Sequence, residues 1–119
     1  MTLTYYGHSC FDVSIGGKYL LFDPFITHNE LARGIDIETI PADYILVSHG
    51  HEDHVADAES IAKRTGATLI SNFEIVSWFG EKGITNGHPM NLFINLFIYL
   101  YIMKFKFVLD YICVINFLR

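Results

Sequence analysis

The feature that most restricts this chain is Ser48-His49-Gly50-His51-Glu52-Asp53-His54, set directly after the apolar run Tyr44–Val47. Three imidazoles and a carboxylate within six residues cannot be accommodated as core packing. They need a turn held between rigid elements, with a strand before it and a helix after it. Histidine binds zinc through a neutral ring nitrogen, and aspartate adds a hard oxygen donor. In a turn, His49 and His51 as alternate residues point to one side, while Asp53 and His54 reach a second point nearby. Such a set suits two divalent ions about 3.5–4 Å apart, a spacing that supports hydrolysis by a bridging hydroxide. A solvated, acidic histidine loop is the competing reading. Four donors in this order at a strand–helix junction favour the metal.

The flanking sequence supplies such a scaffold. Leu3–Tyr6, Cys10–Ile15 and Tyr19–Phe22 are expected strands, rich in aromatic and β-branched residues. Gly16-Gly17 joins the second and third as a two-residue hairpin. Phe25–Thr39 has no clear period and reads as a loop. Tyr44–Val47 is short enough for a buried strand, entered from Pro41-Ala42-Asp43. After the histidines a helix is expected, with Val55, Ala58, Ile61 and Ala62 on its buried face and Gly66 stopping it. Thr68–Ser71 reads as a further strand. Ser71-Asn72-Phe73-Glu74 matches a capping box that opens a helix through about Lys82. Strands followed by strand–helix alternation predict an α/β sandwich.

Composition divides the chain at about residue 91. Every glycine and proline lies in residues 1–90, and residues 91–119 contain no Gly, Ala, Pro, Ser, Thr, Glu, Gln or His. The expected organisation is a domain over 1–90 and an aberrant apolar tail over 91–119. Three readings of the tail stay open. One is an anchor through 92–118, although Leu92–Met103 is shorter than the roughly 20 residues that a bilayer-spanning helix needs. Its Phe, Ile, Tyr and Val content suits a pair of buried strands. It also matches what A/T-rich codons encode after a frameshift or read-through. Residues 1–90 carry five basic and twelve acidic residues, a balance of −7. An acidic body offers no footprint for a phosphate backbone, which argues against nucleic acid as a partner. Cys10 and Cys113 are too few for a disulfide framework and read as reduced thiols.

The order His49-x-His51-x-Asp53-His54 resembles the signature of the metallo-β-lactamase superfamily. Leu3-Thr4-Tyr5-Tyr6-Gly7-His8-Ser9-Cys10-Phe11, Leu21-Phe22-Asp23-Pro24-Phe25 and Ala42-Asp43-Tyr44-Ile45-Leu46-Val47-Ser48 sharpen the likeness. Together they resemble the uncharacterised metal-dependent hydrolases related to ascorbate-6-phosphate lactonase, and the resemblance runs to about residue 91. It implies the N-terminal half of an αββα sandwich, incomplete here, and hydrolysis in the cytoplasm. The implied cofactor is two divalent ions, zinc first, with manganese or iron as alternatives. His49 and His51 would hold one ion, and Asp53 and His54 the other. Asp53 would also orient the attacking water as the catalytic carboxylate. Asp23 would support the metal loop from behind, and His8 would touch substrate or a metal-bound water. Glu52 is expected to be solvated, and His28 is assigned no role.

A complete family member supplies three further ligands downstream: a histidine, a bridging aspartate and a late histidine. Here His88 is the last histidine and Asp110 the one later acidic residue, and neither matches a family ligand position. The expectation is therefore a hydrolase of ester, lactone or phosphoester-like bonds by ancestry, acting on a small-molecule substrate, but truncated and inactive as this chain stands. A non-catalytic protein anchored to a membrane or partner by its tail is the alternative. A homo-oligomer completing its site with His88 or Asp110 of a neighbour is a third reading.

Overall fold

Gly16 and Gly17 take φ of 59° and 76°, the left-handed pair that a tight hairpin requires, and they turn β2 (Cys10–Ile15) back into β3 (Lys18–Phe22). The computed structural model describes residues 1–90 of the chain. β1 (Thr2–Gly7) pairs antiparallel with β2 on its other side. β4 (Tyr44–Leu46), β5 (Thr68–Ser71) and β6 (Gly87–Pro89) then add in parallel, giving a six-stranded sheet in the order β1-β2-β3-β4-β5-β6. Because β2 runs against its two neighbours, β1, β3, β4, β5 and β6 all point the same way. Their C-terminal ends share one edge of the sheet.

Leu21, Ile45 and Leu69 lie side by side across β3, β4 and β5, each fully buried. This row meets Ala58, Ile61 and Ala62 of α2 (Ala58–Thr65) and Phe79 of α3 (Phe73–Glu81) in one core. The opposite face of the sheet carries Phe11, Val13, Leu20, Leu46 and Ile70, each between buried and exposed. Strands apolar on both faces are the pattern of a sheet meant to be covered on both sides.

Three differences from the sequence reading have specific physical causes. The helix expected to run on from the histidines is broken into α1 (Glu52–Val55) and α2. The break falls at Asp57, whose backbone N–H leaves the helical ladder and donates to the Pro24 carbonyl at 3.1 Å. Its buried carboxylate accepts from Ile26 N at 2.6 Å, Thr27 N at 2.9 Å and Thr27 Oγ1 at 2.5 Å. α3 is capped by Asn72, whose side chain accepts from Ile75 N at 2.9 Å. Ser71, expected in that role, instead ends β5, fully buried, and donates to the Val47 carbonyl at 2.7 Å. The 25–39 loop contains two single 3-10 turns, Glu30–Ala32 and Ile37–Thr39, each capped by an acidic or amide side chain, Asn29 and Asp36. Among the described residues no helix is long and apolar enough to cross a membrane. The tail readings, including the 92–118 anchor, the buried strands and any role for Asp110, lie outside the described residues.

Two outcomes follow from this packing. Asp57→Ala would leave two backbone N–H groups of the 26–27 segment without an acceptor, so it should destabilise the fold by about 3 kcal/mol. Urea unfolding of the two proteins measures that loss. Cys10 is fully buried, and burial pushes its thiol up to about 12. The unfolded thiol ionises near ~8.5. Its contribution to stability is therefore present below that value and lost as pH rises from there toward 12. Alkylation mapped by mass spectrometry should leave Cys10 unmodified at about pH 8, near the ordinary thiol range, in the folded chain and label it in urea.

Candidate metal centre

Every sequence-expected donor sits just past the C-terminal end of a strand on the shared edge. His8 follows β1, Asp23 follows β3, and His49, His51, Asp53 and His54 follow β4. The crevice beyond the carboxyl ends of parallel strands is where open α/β sheets bind ligands.

Asp23 organises the floor. Its Oδ1 accepts from Ser48 N at 2.7 Å, and its Oδ2 accepts from Ser48 Oγ at 2.7 Å. The same Oδ2 lies 3.0 Å from His54 Nδ1. With its proton committed to Asp23, Ser48 Oγ is the acceptor in its 2.9 Å contact with His49 Nδ1. Both His49 and His54 thus carry the proton on Nδ1 and present an unprotonated Nε2, which in His49 accepts from His51 Nδ1. A carboxylate behind a histidine is the arrangement that fixes tautomer and ring orientation at metal sites. Asp23 and His54 are buried, at 7% and 11% side-chain exposure, whereas His8 and Asp53 are 42% and 49% exposed. The cluster therefore has a rigid floor and an open mouth.

The ring nitrogens converge above that floor. His49 Nε2 and His51 Nδ1 lie 3.1 Å apart, and the His49 and His54 rings stand 3.9 Å apart between centroids. His54 Nε2 lies 3.9 Å from Asp53 Oδ2, which in turn lies 3.0 Å from His8 Nε2. Desolvation holds the His49 imidazole below its ordinary pKa, and the neighbouring His54 and His51 add to the effect. Desolvation pushes the Asp53 carboxyl up, but its own backbone N–H, His54 and His8 outweigh that and leave it below the usual carboxylate range. The set thus tends to a neutral imidazole and an ionised carboxylate, the forms that ligate. His49 Nε2 and His51 Nδ1 share one hydrogen bond, and a divalent ion in place of that proton would meet two imidazole nitrogens, with Asp53 and His54 offering a second pair of donors.

The remaining histidines lie elsewhere. His28 is exposed in the loop after Asp23. His88 is exposed on β6, in register with Ile70 and short of the strand's end, and is not gathered with the other donors. Ser48 was not singled out as a site residue from the sequence, although it links Asp23 to His49. The available signal was its place between the apolar strand and His49.

A family model described as a beta-lactamase superfamily domain matches residues 2–90. A UPF0173 metal-dependent hydrolase of Methylacidiphilum infernorum is 53% identical over 92 residues, 77% of this chain and 41% of that protein. One of Flavobacterium johnsoniae is 53% identical over 91 residues, 76% of this chain and 40% of its own length. Among solved structures, Igni18, a metallo hydrolase of the archaeon Ignicoccus hospitalis, superposes with a TM-score of 0.68 at 38% identity. It aligns with 75% of this chain and 39% of its own. The chain spans about two fifths of the length of the curated relatives it matches.

The floor predicts a specific sensitivity. Asp23→Asn keeps a residue that tolerates the left-handed backbone at this position, where φ is 43°. It loses one charged acceptor, so zinc affinity should fall about 10- to 100-fold. Equilibrium dialysis of the chain against zinc checks this, with Glu52→Ala expected to bind like the wild type.

Proposed function

The chain belongs to the beta-lactamase superfamily, and from that membership we propose that its residues 1–90 carry the first half of the working site of a metal-dependent hydrolase. The observation that supports this reading is the convergence of His49, His51, Asp53 and His54 over one carboxylate, Asp23. His49 and His51 would hold one divalent ion, and Asp53 and His54 the other, with zinc the first choice for imidazole-rich donors. When bound, the pair would supply an activated water for hydrolysis of an ester, lactone or phosphoester-like bond in a small molecule.

The chain's own residues have distinct tasks. Asp23 and Ser48 hold the rings of His49 and His54 in one tautomer and one orientation. Asp53, half exposed at the mouth and ionised, orients the attacking water and accepts its proton. His8, comparably exposed, faces the same space, with its Nε2 3.0 Å from Asp53 Oδ2. Burial of Asp23 and His54 keeps the floor from rearranging as the substrate enters.

Catalytic zinc usually has three protein ligands. The cluster after β4 offers two per ion, so this reading assigns weak metal binding and negligible turnover to the 119-residue chain alone. A chimera tests it. Residues 1–90 joined to the C-terminal three fifths of the Methylacidiphilum relative should hydrolyse chromogenic ester, lactone or phosphodiester probes. Asp53→Asn in that chimera should lower kcat about 100-fold or more. A chimera that folds, loads zinc and keeps full activity after the Asp53→Asn substitution would overturn the assignment of Asp53.

A further inference from the structure

We propose that His8 is a metal ligand: its Nε2, with Asp53 and His54, forms a three-donor site for one divalent ion built wholly within residues 1–90. This inference rests on the metal-site reading given above and extends it to a turn about 45 residues away in sequence.

One nitrogen from each of His8 and His54 and one oxygen of Asp53 lie within 4.8 Å of one another, a grouping of three found among the described residues only here. At ligand bonds of about 2.1 Å, donors around a tetrahedral ion lie about 3.4 Å apart. The observed 3.0 Å from His8 Nε2 to Asp53 Oδ2 and 3.9 Å from His54 Nε2 to the same oxygen straddle that value. His54 presents Nε2 because its Nδ1 is committed to Asp23.

His8 is also held for the task. Its φ is 54°, and Asp23 is the other described non-glycine residue at positive φ. Strained backbone persists where the surroundings over-determine it, and it clusters at functional sites. Here both such residues flank His54. The preceding Gly7 leaves no room for a side chain, since a Cβ there would lie 2.9 Å from Asn29 Nδ2 and 2.9 Å from Leu31 Cβ. The turn is thereby pressed against the loop that follows Asp23. Tyr5 Oη donates to the His8 carbonyl at 2.9 Å. The imidazole stands between Phe25, with centroids 5.9 Å apart, and His54 at 4.9 Å. A surface histidine engaged only in an ion pair needs none of this fixing.

Cobalt(II) titration of the full chain provides the test, because the ligand-field spectrum reports the donors directly. In a His49→Ala/His51→Ala background the remaining donors are His8, Asp53 and His54. That protein should bind cobalt with the intense visible bands of a low-coordinate site. His8→Gly, which suits the left-handed backbone, should weaken binding tenfold or more, and added imidazole should restore the bands. If His8→Gly does not fold, His8→Asn, also tolerant of that backbone, carries the same comparison through its loss of the imidazole bands. Unchanged affinity and spectrum without His8 would overturn the proposal while leaving the reading of Asp53 and His54 in place. Cobalt binding by the wild type but not by the double variant would overturn it too, placing the metal on His49 and His51. No binding by the wild type would remove the metal-site reading itself, and this inference with it.

Discussion

The site depends on one buried carboxylate. Asp23 takes hydrogen bonds from Ser48 N, Ser48 Oγ and His54 Nδ1. Together these tie the end of β3 to the end of β4 and to the start of α1. Burying an ionised aspartate is costly unless its lone pairs are met. Here they are met by the groups that must be oriented, so one interaction closes the loop and selects the tautomers of His49 and His54. The cost of the left-handed φ at Asp23 is offset by the same contacts.

Strand direction does the rest. The hairpin at Gly16-Gly17 and the turn at Gly7-His8 leave β1 and β3 parallel, and β4 joins them in the same sense. Residues far apart in sequence therefore reach a single edge. Asp57 locks the arrangement from behind by holding Ile26 and Thr27 and drawing its own N–H to Pro24. The segment that follows Asp23 cannot drift from the helices that follow the histidines.

Much of this was legible in the residues themselves. The bounds of β2 are those expected from its aromatic and β-branched content, and the strand before the histidines follows from its short apolar run. The buried face Ala58, Ile61, Ala62 follows from helical spacing. What escaped the sequence reading depends on long-range contacts. The break at Asp57 follows from partners about 30 residues earlier, which no local propensity reports. Ser71 and Asn72 are both good capping residues, and only pairing of β5 with β4 decides that Ser71 stays in the sheet. β6, three residues reading Gly-His-Pro, has no periodicity to detect. His8 and Ser48 were visible as residues beside motifs. Their relation to Asp53 and Asp23 follows only once the direction of β1 and the end of β4 are known.

The central claim is that Asp23 pre-arranges the histidines for metal before any metal arrives. Long-range 1H–15N correlation of the histidine rings in the metal-free chain tests it directly. The account requires His49 and His54 to carry their protons on Nδ1, with their Nε2 resonances moving when zinc is added. Protons on Nε2 in those two rings, or ring resonances indifferent to zinc, would contradict it.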